Sequence, residues 1–142
     1  MVEKLNIYLA DLSVLYHKLQ NFHWYIKGKD FFVVHAKLEE YYDNIKDSID
    51  EIAERILMIG GQPEATLESY LKLSKIKEAP AKEVTSDKIY EEVIKDFEYL
   101  LASVVDIKKD ADEASDYLTS SLMDDYIKNF TKSLWMLKQT LK

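Results

Sequence analysis

The sequence predicts an all-α protein, a bundle of four long helices with a short extra helix in a long connection between the second and third. Three observations predict it. Only three glycines and two prolines punctuate 142 residues, so few positions can break a helix. Apolar residues recur every three or four positions along four long stretches. Both prolines, Pro63 and Pro80, fall between residues 62 and 84, which marks one long crossover rather than a run of short hairpins. A chain of this length suits one domain, residues 1–142, with a core that needs neither disulfide nor structural metal.

The first helix begins near residue 3 and is carried by Leu5, Tyr8, Leu9, Leu12, Leu15, Tyr16, Leu19 and Phe22. It should run to the break "KGKD" around Gly28, after which Asp30 can cap a second helix. In that helix Phe31, Val34, Leu38, Tyr41, Ile45, Ile49, Ile52, Ile56 and Ile59 fall on one stripe at 100° per residue. The pair Gly60–Gly61 ends it. The crossover contains one short amphipathic piece, "ATLESYLKL". Thr85 or Ser86 can cap a third helix, built on Ile89, Val93, Phe97, Leu100, Leu101 and Val104 and ending near residue 113. A fourth is expected to start near Ser120 or Ser121, with Asp124 and Asp125 in its first turns. Its buried face is Leu122, Tyr126, Ile127, Phe130, Leu134, Leu137 and Leu141.

Composition narrows the chemistry. Without cysteine, thiol catalysis, thiolate zinc, iron–sulfur clusters and disulfides are excluded, and any metal must be held by nitrogen and oxygen. The amino terminus alternates apolar and charged residues, unlike a signal peptide or membrane span, so a cytoplasmic protein is expected, with no membrane partner. A net charge of -7 repels nucleic-acid phosphate, and no Lys/Arg-rich tail flanks the periodic segments, so DNA binding is expected to be weak or missing.

The residues that carry chemistry lie between 21 and 55. His23 and His35 sit six positions either side of residue 29, so an antiparallel hairpin folded at Gly28 brings them level. Asp50 and Glu54 are one turn apart on one helix and can reach one ion or two adjacent ions. Measured from His35 on the helical wheel, Glu39 lies at about 40°, Asp50 at about 60° and Glu54 at about 100°. All four therefore share one strip. Yet His35 and Asp50 are separated by roughly 22 Å of helix, whereas metal ligands lie about 2 Å from their ion. One chain cannot join them. Two copies of this helix packed antiparallel about a two-fold axis near Tyr42 and Asp43 would set His35 of one against Asp50 and Glu54 of the other.

Taken alone, an HxxxE or DxxxE pair on a helix is ordinarily a solvated arrangement, so spacing does not decide for a metal. His17, with no acid at useful spacing, reads as non-catalytic. The aromatics Phe22, Trp24, Tyr25, Phe31 and Phe32 read as hairpin packing.

The stretches "NFHWYIKGKDFFVVHAKLEEYY" and "IDEIAERILMIGGQPEATL", with "SLWMLK" near the carboxyl end, resemble the signature of the Dps family, ferritin-like mini-ferritins named as DNA-binding proteins from starved cells. The resemblance implies a ferritin-like bundle assembled into a hollow dodecamer that oxidises Fe(II), preferably with hydrogen peroxide, and stores ferric mineral. It implies that His23, His35, Asp50 and Glu54 form the ferroxidase site across a dimer interface, with Glu39 in an outer position or at a second iron. Imidazole and carboxylate suit Fe(II) and leave positions open for water and oxidant. For the acids lining the family's three-fold iron pores, Asp112, Asp116, Asp124 and Asp125 are candidates, because the spacing of "DADEASDYLTSSLMDD" to the final tryptophan departs from the family's. Two other readings compete: a nucleoid-associated DNA binder, and a helical assembly module without catalysis.

Overall fold

A computed structural model describes residues 1–142. Helix α1 (Val2–Tyr25) leads through the two-residue strand β1 (Ile26–Lys27) into α2 (Phe31–Met58). The short α3 (Leu67–Leu73) lies in the crossover, followed by β2 (Val84–Thr85), α4 (Ser86–Glu113) and α5 (Tyr117–Thr140). α1 packs on α2 and α4 on α5 as two hairpins, and their inner faces close on one core running from Leu5 to Leu137. The centres of the expected apolar stripes are buried, Val34, Leu38, Ile52 and Ile56 of α2 with Leu9, Leu12, Leu15 and Leu19 of α1 and Ile89 and Leu100 of α4, whereas Leu141, expected on the buried face of the last helix, is exposed at the chain's end. No helix is long and apolar enough to cross a membrane.

The helix ends follow backbone chemistry more than the caps expected of them. Asp30 and Thr85 occupy N-cap positions, but neither side chain makes a capping bond. At the end of α2 the Gly61 N–H donates to Ile56 O at 2.9 Å and the Gly60 N–H to Leu57 O at 3.0 Å, with Gly60 at φ 83°, a Schellman closure. A Cβ on Gly61 would lie 2.9 Å from Val2, so the chain turns there against the start of α1.

The largest departure is at α5, which starts at Tyr117 rather than near Ser120 or Ser121. α4 ends in a second Schellman closure, Asp116 N–H to Ala111 O at 2.8 Å and Ser115 N–H to Asp112 O at 3.1 Å, with Ser115 in the position where glycine is usual, φ 54°. Asp116 then caps α5 at once, its carboxylate accepting from the Thr119 N–H at 3.1 Å and hydroxyl at 2.6 Å. The turn needs no glycine in the sequence, which is why periodicity alone placed the start a turn late.

The crossover is held by polar side chains of α1. Asn6 accepts from the Glu64 N–H and donates to Gln62 O; Asn21 donates to Ala79 O. Between them Asp11, fully buried, accepts from the Ser74 hydroxyl at 3.0 Å, the Lys75 N–H at 2.8 Å and the Tyr99 hydroxyl at 2.7 Å. Those donors offset the desolvation of its charge. The parallel pairing of β1 with β2, Ile26 opposite Val84, seals the end of the bundle where the first hairpin turns.

Candidate metal centre

The α1–α2 hairpin turns at Gly28, whose φ of 126° is open to glycine and strained for other residues. That turn sets α1 and α2 antiparallel and in register, so His23 and His35 meet. Their rings stack with centroids 3.6 Å apart and planes 12° from parallel. Each Nδ1 lies within hydrogen-bond distance of the other residue's backbone carbonyl, 2.6 Å for His23 to His35 O and 2.7 Å for His35 to His23 O. A carbonyl only accepts, so each Nδ1 carries a hydrogen, and Nε2 is the nitrogen left to offer a lone pair. The outer hydrogen bond thus orients the ring and leaves the other nitrogen as a donor to a metal, the arrangement typical of ligating histidine.

Neighbouring side chains fix the pair further. Phe31 stacks on His35 at 4.8 Å, and Tyr42 meets His23 edge-on at 5.3 Å. Glu39 places a carboxylate oxygen 3.6 Å from His23 Nε2 and accepts from the Tyr42 hydroxyl at 3.4 Å. Of the expected donors, the fold therefore pairs His23 with His35 and sets Glu39 beside His23. Asp50 and Glu54 project from the far end of α2, both exposed, and neither carboxylate has a hydrogen-bond or ion-pair partner in the chain. Within one chain, no three His, Asp or Glu side chains converge as a metal site. The helical rise of roughly 22 Å between His35 and Asp50 accounts for the separation.

Beside Glu54, Arg55 turns inward. Its Nε donates to the Thr119 hydroxyl at 2.8 Å and its Nη2 to Asp116 at 2.9 Å, tying the carboxylate-bearing turn of α2 to the start of α5. Burial alone would push the Asp116 carboxyl up, but the Thr119 hydroxyl and amide and the Arg55 guanidinium outweigh it and hold the group below its ordinary value. This tie was not legible in the sequence, because it joins positions 61 apart through a cap the pattern did not reveal.

The other candidates separate. Asp116 is consumed as a cap and ion-pair partner; Asp112 accepts from the Ser120 hydroxyl, and Asp124 pairs with Lys108 at 3.0 Å. Asp125 lines a polar groove of about 600 Å³ between α2 and α5 with Asp47 and Glu51, a groove that contains none of the five expected donors. His17 is exposed and touches only the edge of Tyr16 among aromatic rings. The aromatic packing expected at the hairpin holds for Phe22 and Phe31 but not for Trp24 or Phe32, which are 65% and 83% exposed. Helical phase explains this: both point away from the partner helix.

A ferritin-like domain model matches residues 2–142. The chain is 44% identical over 141 residues to DNA protection during starvation protein 2 of Bacillus anthracis, covering 99% of this chain and 96% of that one. The crystal structure of antigen TpF1 from Treponema pallidum superposes with a TM-score of 0.97 at 42% identity, over 99% of this chain and 90% of that one. A Dps protein from Vibrio cholerae O1, described as a member of a broad superfamily of ferritin-like diiron-carboxylate proteins, superposes with a TM-score of 0.96 at 39% identity, over 99% of this chain and 88% of the other. The bundle with its crossover helix, the crossed histidine pair and these matches along the whole chain lead to one conclusion: the chain belongs to the ferritin-like family, and within it to the Dps proteins.

Proposed function

We propose that this protein is an iron-oxidising, iron-storing mini-ferritin: Fe(II) is its substrate, hydrogen peroxide its preferred oxidant, and a ferric mineral its stored product. The observation that carries the reading is the crossed histidine pair, two stacked imidazoles each held through Nδ1 by a backbone carbonyl, with no hydrogen bond at Nε2. Burial asks only that a ring N–H find an acceptor; that both rings satisfy Nδ1 and leave Nε2 open suits a metal-ligating pair. Asp50 and Glu54, exposed and unpaired at the other end of α2, supply the anionic half when a second copy packs antiparallel against α2. Each site is then shared between two chains, and an isologous dimer carries two. Six dimers closing into a dodecameric shell would keep the mineral from solution.

The donor set fits the substrate. Imidazole and carboxylate bind Fe(II), and four protein donors across two chains leave positions for water and oxidant. Two Fe(II) give two electrons to one peroxide, breaking its O–O bond; with two waters taken up, the products are two ferric oxyhydroxide units and four protons. No side chain changes oxidation state, and consuming peroxide beside iron limits radical damage. Glu39, 3.6 Å from His23 Nε2, is placed to hold a second iron or to orient water at the first. A cytoplasmic setting supplies both Fe(II) and the reducing conditions that a chain without cysteine tolerates. The DNA-binding reading draws support from the names of relatives such as that of Bacillus anthracis, but the net charge of -7 opposes it at neutral pH.

The test is to add Fe(II) to the purified protein without oxygen, then peroxide, and to follow ferric absorbance. Oxidation at about one peroxide per two irons, with product retained on the shell, supports the reading. Oxidation no faster than in protein-free buffer would reject it in favour of a non-catalytic assembly module.

A further inference from the structure

The chain's positive charge is unevenly placed. Lys18, Lys75, Lys77, Lys82, Lys88 and Lys95 all line one pocket of about 570 Å³ between α1, the end of the crossover and the first turns of α4. Three acids share the lining, but two are already engaged. The buried Lys18 sits at the floor with its Nζ 2.7 Å from Asp96 and 3.2 Å from Glu92. Only Glu78 remains to oppose the other five lysines, none of which has a carboxylate within 4 Å. Elsewhere some lysines are paired: Lys4 bridges Asp106 and Asp110, Lys108 reaches Asp124, and Lys138 reaches Glu98.

We infer that this pocket binds a short, multiply charged phosphate chain. A cavity of this size is about a Debye length across, so the charges of the five lysines that line it repel one another and an anion entering it would relieve that repulsion. α4 adds to the field. Its amino terminus opens at the same place, Val84 and Lys88 being part of the lining, and no side chain caps it, so the helix dipole adds to the field even though Asp87 in the first turn offsets part of it. The lining also tells what the ligand lacks. Its single aromatic, Phe22, is 4% exposed and offers no face for stacking a base, so recognition is by phosphate oxygens alone. A pocket of about 570 Å³ is too small to seat a duplex, and a chain carrying -7 repels a long polyanion overall while this pocket attracts a short one. The inference does not depend on iron chemistry, and its test contains no iron.

The assembled protein is titrated with sodium tripolyphosphate by calorimetry, with orthophosphate and a short DNA duplex as separate arms. Saturable binding of tripolyphosphate is expected, at least about tenfold tighter than orthophosphate and weakened by salt. Lys77→Glu with Lys82→Glu should weaken it at least about tenfold, and Lys77→Arg with Lys82→Arg should preserve it. Both lysines are exposed, so circular dichroism should not change. Lys128→Glu with Lys132→Glu alters net charge equally but lies on the α2–α5 groove, and should leave affinity within about twofold. Equal weakening by both reversed pairs would reduce the effect to overall charge and overturn the site. So would absence of saturable binding, orthophosphate binding as tightly as the chain, or displacement of tripolyphosphate by duplex DNA.

Discussion

At the amino-terminal end of α2, His35 is stacked on His23 and fixed through a backbone carbonyl. At the carboxyl-terminal end, Asp50 and Glu54 stand in solvent with no partner, although the turn that carries them is anchored by Arg55. One helix therefore presents an ordered pair at one end and a free pair at the other, the two halves of the site proposed above. The difference teaches how such a site can divide labour: imidazole rings are positioned within a chain by hydrogen bonds, while two carboxylates one turn apart repel unless a cation lies between them. Leaving the acids exposed avoids burying unpaired charge in the free chain.

The comparison breaks most readily through its ligands. His35→Ala and Asp50→Ala should each slow peroxide-driven iron oxidation by about a hundredfold or more, while His17→Ala should leave it unchanged. Stopped-flow absorbance checks this, and parental rates in both ligand variants would contradict the site. A mixture sharpens the point. Chains lacking His23 and His35, co-assembled with chains lacking Asp50 and Glu54, form mixed dimers in which one site has every ligand and the other none. Random pairing of equal amounts makes about half the dimers mixed, so roughly a quarter of sites should recover. Shells shown by mass spectrometry to be mixed, yet as inactive as either parent, would exclude a shared site.

Smaller effects test the anchoring. Arg55→Gln should cost about 2 kcal/mol at pH 7, between the values for exposed and buried ion pairs. Because the Asp116 carboxyl is depressed in the folded protein, its contribution is present above the ordinary carboxylate pKa of about 3.9 and lost as pH falls through the lowered value. The parent–variant difference in urea midpoint should therefore shrink in acid; an equal difference at pH 7 and pH 3 would contradict it. Ser115→Gly, at φ 54°, should stabilise by about 0.5 kcal/mol by relieving the left-handed backbone. A lower thermal midpoint would show instead that the serine side chain matters there.

The four helices, the crossover helix and the level meeting of His23 with His35 were legible because each depends on local periodicity or on counting from a glycine. The Asp116 cap was not, since a serine takes the place of the glycine that would have announced the turn. Nor were the carbonyls that orient the imidazoles, because no sequence pattern reports which way a ring nitrogen faces. Trp24 and Phe32 misled for a related reason: an aromatic run names residues that favour burial, not those that the helix turns inward.

The row of polar side chains with which α1 grips the crossover also bears on the order of events in folding. The crossover bonds of Asn6, Asp11 and Asn21 reach residues 56 to 65 positions away, so they close long loops, whereas each helical hairpin closes through neighbours in sequence. Loop-closure entropy places such contacts late. Each hairpin should form before the crossover settles, and the Asp11 bonds should form on the native side of the barrier. Asp11→Asn would then accelerate unfolding while leaving the refolding rate nearly unchanged, and slowing of refolding by the full loss of stability would place the crossover in the nucleus instead. What looks in the static fold like a fastener on a connecting segment acts in time as a latch: it sets how long the bundle stays closed, not how quickly it forms.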